Sequence, residues 1–329
     1  MENRLENIHI QNFKSIKDVS VQCEQINIFI GQPNVGKSNF LEALSLLGPN
    51  FLNNGWGFGR PMLRYEIAAN LFFDQAFLED EIIVQADHKA VARLRSEQGG
   101  FFYEMQYQGK GEVSASFSLD GSIRGFNVNF DKVFFPVKFY KFSDNQPFAA
   151  GSNALYLLPP YGANFLNVIQ SNRAVRKEAS ELFEPYGLEL LVDNLANRLE
   201  IVKKQDGILF KTPYSLVADT LRRYLFHFAA LASNRNSILL FEEPESHHFP
   251  PFIQRLAQRI LEDESNQYFI TTHSPFLLNT ILEKNTSVAV FLVEFENFQT
   301  RIHRLSDESL RDVLDHGINI FSALEQFEQ

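Results

Sequence analysis

The sequence predicts an α/β fold with a parallel-sheet core that carries a phosphate loop, an antiparallel β subdomain and a helical lobe. Three observations lead there. Short apolar strands alternate with helical stripes toward both ends of the 329-residue chain. Between those ends lies a run of short strands separated by glycine turns. Gly31-Gln32-Pro33-Asn34-Val35-Gly36-Lys37-Ser38 is a complete G-x-x-x-x-G-K-[ST] loop, and it follows a strand and opens a helix as such a loop must.

Taken in order, residues 5–10 and 19–23 read as strands joined by a lysine-containing turn. Residues 26–30 are a short, β-branched apolar run, the form of a buried strand. After the loop, Phe40, Leu41, Ala43, Leu44 and Leu47 make a helical stripe that Gly48-Pro49 ends. Residues 48–61, rich in Gly, Asn and Pro, read as a loop. From 65 to 142 the runs 81–85, 101–107, 113–119 and 133–142 are punctuated by Gly99-Gly100, Gly109-Lys110-Gly111 and Asp120-Gly121, an antiparallel meander. Residues 164–186 read as helical, and 198–204 as a strand turning at Asp206-Gly207. Residues 215–232 place Leu221, Leu225, Phe228 and Ala232 on one helical face. Strands at 237–241, 267–271, 288–293 and 300–305 then alternate with helices at 250–261 and 275–282. The expected organisation is one domain over 1–329, with a core of 1–50 and 210–329 and inserted lobes over about 51–209.

Bulk properties narrow the function. Hydrophobic residues at 45% supply a sizeable core, and most of the 33 phenylalanines belong in it. A formal charge of -10 argues against a uniformly basic protein that coats nucleic acid, while leaving room for a local basic groove. A single cysteine, Cys23, excludes an intrachain disulfide and fits a reducing compartment. No apolar run approaches the ~18 residues that span a bilayer, and Met1-Glu2-Asn3-Arg4 lacks signal-peptide form. A cytoplasmic protein is expected.

The loop names its ligand. Its backbone N–H groups can wrap a triphosphate, Lys37 can reach the β- and γ-phosphates, and the Ser38 hydroxyl can serve as a Mg2+ ligand. Gly31 and Gly36 let the main chain approach the phosphates. A second signal is the apolar strand Ile238-Leu239-Leu240-Phe241 ending in Glu242-Glu243. Ligands of open α/β sheets sit at the carboxyl ends of strands, so both acids would face the loop. Glu242 can hold Mg2+, and Glu243 can polarise the attacking water as general base. Alone, such a pair reads as solvated charge; after a phosphate loop, it does not. A third strand ends in Thr271-Thr272-His273-Ser274-Pro275, where His273 can hydrogen-bond the γ-phosphate. His247 and His248 are adjacent and have no i, i+4 partner, which disfavours a zinc site.

Together these motifs resemble the ABC-type ATPases of the RecF, SMC and OLD group, specifically their compact bacterial AAA-family (AAA_21-like) members. Ile8-His9-Ile10-Gln11-Asn12-Phe13-Lys14-Ser15-Ile16 resembles that group's first strand and turn, and Asn34 with Ser38-Asn39-Phe40-Leu41-Glu42-Ala43-Leu44 its phosphate loop and helix. Phe241-Glu242-Glu243-Pro244-Glu245 with Phe249-Pro250 resembles its Walker B and D-loop segment, and Thr271-Thr272-His273-Ser274-Pro275 its switch histidine. The resemblance implies nucleotide contacts at Asn34, Gly36, Lys37, Ser38 and Asn39, a metal held by Ser38 and Glu242, and catalytic roles for Glu243 and His273. It implies a homodimer with Mg-ATP sandwiched between one subunit's loop and the other's signature helix, which normally opens with Ser-x-Gly. Here Val217 stands in the serine's place and Asp219 in the glycine's. That departure puts composite-site hydrolysis in question and opens the alternative of slow turnover or ATP sensing.

Long heptad arms are missing, and the stretch after His273 is short for the TOPRIM nuclease domain of OLD proteins. The resemblance therefore implies an ATPase that regulates a separately encoded effector, a nuclease or toxin, as in anti-phage defence operons. The alternative is a repair-type ATPase that binds nucleic acid itself. Weaker candidates are Arg60 and Arg64 for a γ-phosphate or a nucleic-acid backbone, Gln146 for Mg2+, and the basic face Arg173, Arg176 and Lys177 for DNA. Surface pairing is the competing use of these arginines and of Lys177. Asp307, Glu308 and Asp312 read as a solvated face.

Overall fold

The computed structural model describes residues 3–48, 52, 57–97, 99–108, 111–130, 136–144, 148, 152–283 and 287–315. Gln146 lies outside the described residues. In chain order the first elements are β1 (Asn7–Phe13), β2 (Ile16–Gln22), β3 (Ile26–Ile30) and α1 (Lys37–Ser45). There follow β4 (Ile82–Ala86), β5 (Ala90–Glu97), β6 (Gly100–Tyr107), β7 (Gly111–Phe117), β8 (Ile123–Phe130) and β9 (Val137–Tyr140). Next come α2 (Phe165–Ser171), α3 (Arg173–Phe183), β10 (Leu188–Asp193), β11 (Arg198–Gln205), β12 (Ile208–Pro213) and α4 (Asp219–Ser233). The last are β13 (Ile238–Glu242), α5 (Pro250–Glu262), β14 (Gln267–Thr271), α6 (Pro275–Leu282), β15 (Val288–Glu296), β16 (Gln299–Arg304) and α7 (Asp307–Asp315). Two compact units result: residues 1–139, 236–243 and 265–329, and residues 140–235 and 244–264.

In the first unit, β3 is buried at all five positions, as its unbroken apolar sequence requires of a strand covered on both faces. It pairs in parallel with β14 on one side and β15 on the other, and β13 continues the parallel run beyond β14. The six-stranded sheet runs β16-β15-β3-β14-β13-β9, with β16 antiparallel to β15 at one edge. Phe29, Phe40, Phe269 and Phe291 stack where α1 packs on this sheet, the Phe29–Phe291 ring centroids lying 4.9 Å apart. The second sheet is a seven-stranded antiparallel meander, β2-β1-β4-β5-β6-β7-β8. Phe58 stacks on its Phe117 at 3.9 Å between ring centroids, and one continuous apolar core extends from these rings to α1.

Three expectations need correction. Strands β1 and β2 join the antiparallel sheet, since β1 pairs with β4, and do not extend the parallel core. Of the run expected at 133–142, residues 133–135 lie outside the described residues, and Val137–Tyr140 forms β9, an edge of the six-stranded sheet next to β13 and not a strand of the meander. The helix expected from 215 begins at Asp219, because Tyr214–Leu216 forms a separate 3-10 turn first.

The second unit holds α2 to α5 and the three-stranded sheet β10-β11-β12. Its helices are tied by Glu178 of α3, which is 3% exposed and meets Arg255 at 2.7 Å and Arg259 at 3.2 Å, with the Tyr224 hydroxyl donating to it as well. Lys177 pairs with Glu181 at 3.4 Å, and Arg176 donates to the carbonyl of Gln170. These two members of the basic face are thus engaged in surface pairing. No helix among the described residues is long and apolar enough to cross a membrane.

Candidate functional site

The site lies in the first unit, where β3, β13 and β14 end. Gly31 has φ 149° and packs so that a Cβ would lie 2.2 Å from the Val293 carbonyl oxygen. Gly36 has φ 106°, and a Cβ there would lie 2.0 Å from Thr300 Oγ1. Both positions require glycine on steric grounds and on backbone grounds. Asn34, exposed on the loop, has φ 65°, a conformation asparagine tolerates better than most residues. The loop's far side is braced by residues distant in sequence. Thr300 Oγ1 donates to the Val35 carbonyl at 2.8 Å and lies 2.6 Å from Ser15 Oγ. Asn39 Nδ2 donates to the same Ser15 oxygen at 2.7 Å, so Asn39 faces this brace.

Helix α1 starts at Lys37 with no side-chain cap, which leaves its first-turn amides for an anion. Ser38 is half-buried in that turn. Lys37 folds back over the loop, Nζ donating to the carbonyls of Gly31 at 3.0 Å and Gln32 at 2.6 Å. Burial pushes its ammonium down to about 8, partly opposed by the carboxylate of Glu243.

Glu243 is the strained residue of the site. Its φ of 44° is in the left-handed region, and its N–H is held by the Thr271 carbonyl at 3.0 Å and Thr271 Oγ1 at 3.3 Å. That grip, from the end of β14 onto the end of β13, fixes the direction of the Glu243 side chain. His273 Nε2 lies 3.4 Å from Glu243 Oε1. Burial and the charge of Lys37 lower the His273 pKa, while Glu243 acts in the opposite direction. The shift favours the neutral imidazole, the form that carries a single ring N–H. Lys37, far away in sequence, thus shares one electrostatic neighbourhood with Glu243 and His273.

Glu242 lies 3.5 Å from Arg64 Nη2. Arg64 also bonds Glu42 on α1, through Nε at 2.6 Å and its backbone N–H at 3.0 Å. Glu42 is fully buried and also paired with Lys14. Arg64 thus links the helix of the loop to the carboxylate at the end of β13. Arg60 donates to the carbonyls of Tyr65 and Glu66. Sequence reasoning missed the Glu42–Lys14–Arg64 cluster and the Ser15–Thr300 brace. The only signal available was a carboxylate at position 42 amid the apolar stripe of α1.

In the second unit, the segment from Ser215 to Arg223, expected from the sequence to stand in the signature position, has its charge neutralised locally. Asp219 at the start of α4 meets Arg223 at 2.6 Å and Arg222 at 3.5 Å. Arg222 Nε also donates to the Val217 carbonyl at 3.0 Å, and Ser215 is exposed.

A parallel-sheet head with a phosphate loop, a paired-carboxylate strand end and a histidine strand end has the layout of a P-loop ATPase of the AAA type. The chain belongs to the AAA_21 family, described as "AAA domain, putative AbiEii toxin, Type IV TA system", whose profile matches residues 26–279. It is 25% identical over 318 residues to an "ATP/GTP phosphatase" of Helicobacter pylori, covering 82% of this chain and 85% of that one. Its fold is similar to that of an SMC head crystallised with the C-winged helix domain of ScpA. That match has a TM-score of 0.54 and 15% identity, over 94% of this chain and 99% of the other.

Proposed function

We propose that residues 1–329 act as a single ABC-type domain that binds and hydrolyses Mg-ATP, closes as a nucleotide-dependent homodimer, and controls a separately encoded effector such as a nuclease, in anti-phage defence. The observation that carries the hydrolytic part is the convergence of Lys37, Glu243 and His273, with Glu243 held in place by Thr271. The uncapped start of α1 and the Gly31 and Gly36 backbones suit a polyphosphate, with Asn34 on the loop and Lys37, Ser38 and Asn39 in the first turn of α1 to hold it. The donor set also fits a hard cation: the Ser38 hydroxyl and the Glu242 carboxylate are oxygen ligands of the kind Mg2+ takes. When bound, Mg2+ offsets charge on the phosphates. Glu243 accepts the proton of the attacking water, and neutral His273 donates a hydrogen bond toward the terminal phosphate. The SMC head bound to a ScpA domain is a precedent for a head of this fold that docks a protein partner.

Glu243→Gln is expected to cut ATP turnover at least ~100-fold, in the range for loss of a positioned base, while ATP remains bound and the chain shifts to dimer in sedimentation. Turnover at the wild-type rate would remove Glu243 as the base. Val217 favours a second reading, an ATP sensor with little turnover, since it offers no hydroxyl where a signature serine would stand. Single-turnover and steady-state rates separate the two: a sensor binds ATP stoichiometrically yet turns over less than about once per hour.

A further inference from the structure

The hairpin of β11 and β12 in the second unit carries an open strand edge that the ATPase reading leaves unused. Asp206 and Gly207, at φ 52° and 80°, form its two-residue turn, the positive-φ pair whose twist matches the strands it joins. Beyond the turn, β12 pairs with β11 alone and is the edge of its three-stranded sheet among the described residues. In such a hairpin Gln205 and Ile208 close the turn as a hydrogen-bonded pair. Ile208, Phe210 and Thr212 therefore turn their backbone groups toward β11, while Leu209 and Lys211 turn theirs to the open side.

All six residues of β12 are exposed, Ile208 at 59%, Leu209 at 61% and Phe210 at 52%. An apolar edge is ordinarily blunted by a bulge, a proline or a covering helix, because it recruits further strands. Here the register with β11 runs unbroken from Gln205–Ile208 to Glu200–Pro213, and the one proline comes last. Charge selects the occupant. Over residues 203–211 three lysines stand against the single acid Asp206, in a chain whose formal charge is -10. Lys204 is opposite Leu209, which puts it on one face with Leu209 and Lys211. Lys203 is opposite Phe210, on the other face with Ile208. Lys203 and Lys204 are exposed, and Lys211 meets Glu200 at 2.8 Å. A second copy pairing along this edge would bring like lysines together, which is unfavourable, whereas an acidic strand gains from them.

We propose that β12 accepts, by strand addition, an extended segment of a partner protein in which apolar residues alternate with Asp or Glu. The main chain of that segment bonds the outward N–H and C=O groups of Leu209 and Lys211. Its apolar side chains lie beside Ile208 and Phe210, and its carboxylates lie on the face of Leu209, Lys204 and Lys211. The surface is separate from the phosphate loop and does not depend on the ATPase reading.

The test is fluorescence anisotropy of a labelled, end-capped peptide of four Val-Glu repeats titrated with the full chain. It is expected to bind with Kd below about 100 μM, equally in wild type and in Lys37→Ala. Peptides of Val-Lys and of Ser-Glu repeats should each bind at least ~10-fold more weakly, one for want of the charge and the other of the apolar face. The exposed pair Lys203→Glu with Lys204→Glu should weaken the Val-Glu peptide by a similar factor while leaving the melting temperature of the free chain unchanged. Peptides N-methylated at every valine or at every glutamate separate strand addition from side-chain contact, because only one of these sets of N–H groups faces β12. One form should lose at least ~10-fold in affinity and the other much less. The proposal is overturned by no binding of the Val-Glu peptide at ~1 mM, by equal binding of the Ser-Glu peptide, or by full affinity in the double lysine variant. It is overturned equally by N-methylated forms that both match the parent peptide, by self-association of the free chain that Leu209→Asp abolishes, or by phosphatidylglycerol vesicles that displace the peptide.

Discussion

At the scale of single residues, Lys37 is governed by two opposed forces. Burial drives its pKa down to about 8, and Glu243 only partly restores it. A triphosphate favours the charged ammonium, so binding raises that pKa above its value in the free chain. The sign of the pH effect follows by linkage. Below pH 8 the lysine is charged in both states and affinity is flat. Between the free and the bound pKa, each pH unit lowers ATP affinity by up to about tenfold, because binding must take up a proton. Titration of a fluorescent ATP analogue from pH 6.5 to 9.5 checks this. Lys37→Ala should bind at least ~10-fold more weakly, as expected when a charge-assisted contact is lost, and its residual affinity should not follow this profile. A wild-type affinity independent of pH across that span would mean that the ammonium is not at the phosphates.

At the scale of elements, α1 links the loop to the core through Glu42. This carboxylate is fully buried, and Lys14 and Arg64 are its counter-charges. Removing Glu42 takes a counter-charge from mostly buried Lys14, while half-exposed Arg64 stays solvated, so Glu42→Ala should cost about 3 kcal/mol of stability, the low end for a broken buried pair, read as a lower urea midpoint. Glu242 would also lose the indirect brace it has through Arg64, and the Mg2+ dependence of ATP binding should weaken with it. Gly36→Ala acts on the same element from the other side. The new Cβ would run into Thr300 Oγ1 and Ser15 Oγ, so the loop must shift and ATP binding should fall at least ~10-fold. Unchanged stability in Glu42→Ala would show that the cluster is solvated in solution. These elements also mark what was legible in the sequence. The strand, loop and helix at 26–47 could be read because three local signals agree, namely apolar period, glycines and N-terminal chemistry. The Ser15–Thr300 brace could not, because only the meeting of the β1–β2 turn of one sheet with β16 of the other brings together residues 285 apart. Strand β5 has a weak sequence signal, because its buried positions are the small Ala90 and Ala92 beside Leu94, with Arg93 and Arg95 among its half-buried positions. Strands β1 and β2 were misplaced because a strand's sequence carries its burial pattern but not its neighbour.

At the scale of the whole molecule, net charge decides what kind of association is compatible with the chain. Two copies at -10 each repel over a Debye length of ~30 Å at 0.01 M salt and only ~8 Å at 0.15 M. A nucleotide-bridged homodimer of such a chain must therefore tighten as salt rises through that range, since screening removes repulsion that the short-range contacts have to overcome. Binding to a nucleic-acid backbone has the opposite sign, because release of counterions from the phosphates drives it and added salt weakens it. The two readings of this ATPase thus separate on one axis. Sedimentation of Glu243→Gln with Mg-ATP at 20, 75 and 150 mM salt should give a dimer constant that rises at least ~3-fold, the order expected for screening of a weak repulsion. Electrophoretic mobility of a short duplex mixed with the same chain should stay unshifted at 20 mM salt, where any phosphate contact is strongest. A dimer that loosens with salt, together with a duplex shifted at 20 mM and released at 150 mM, would reverse the assignment. The nucleic acid would then be the partner and a local basic groove the surface that meets it.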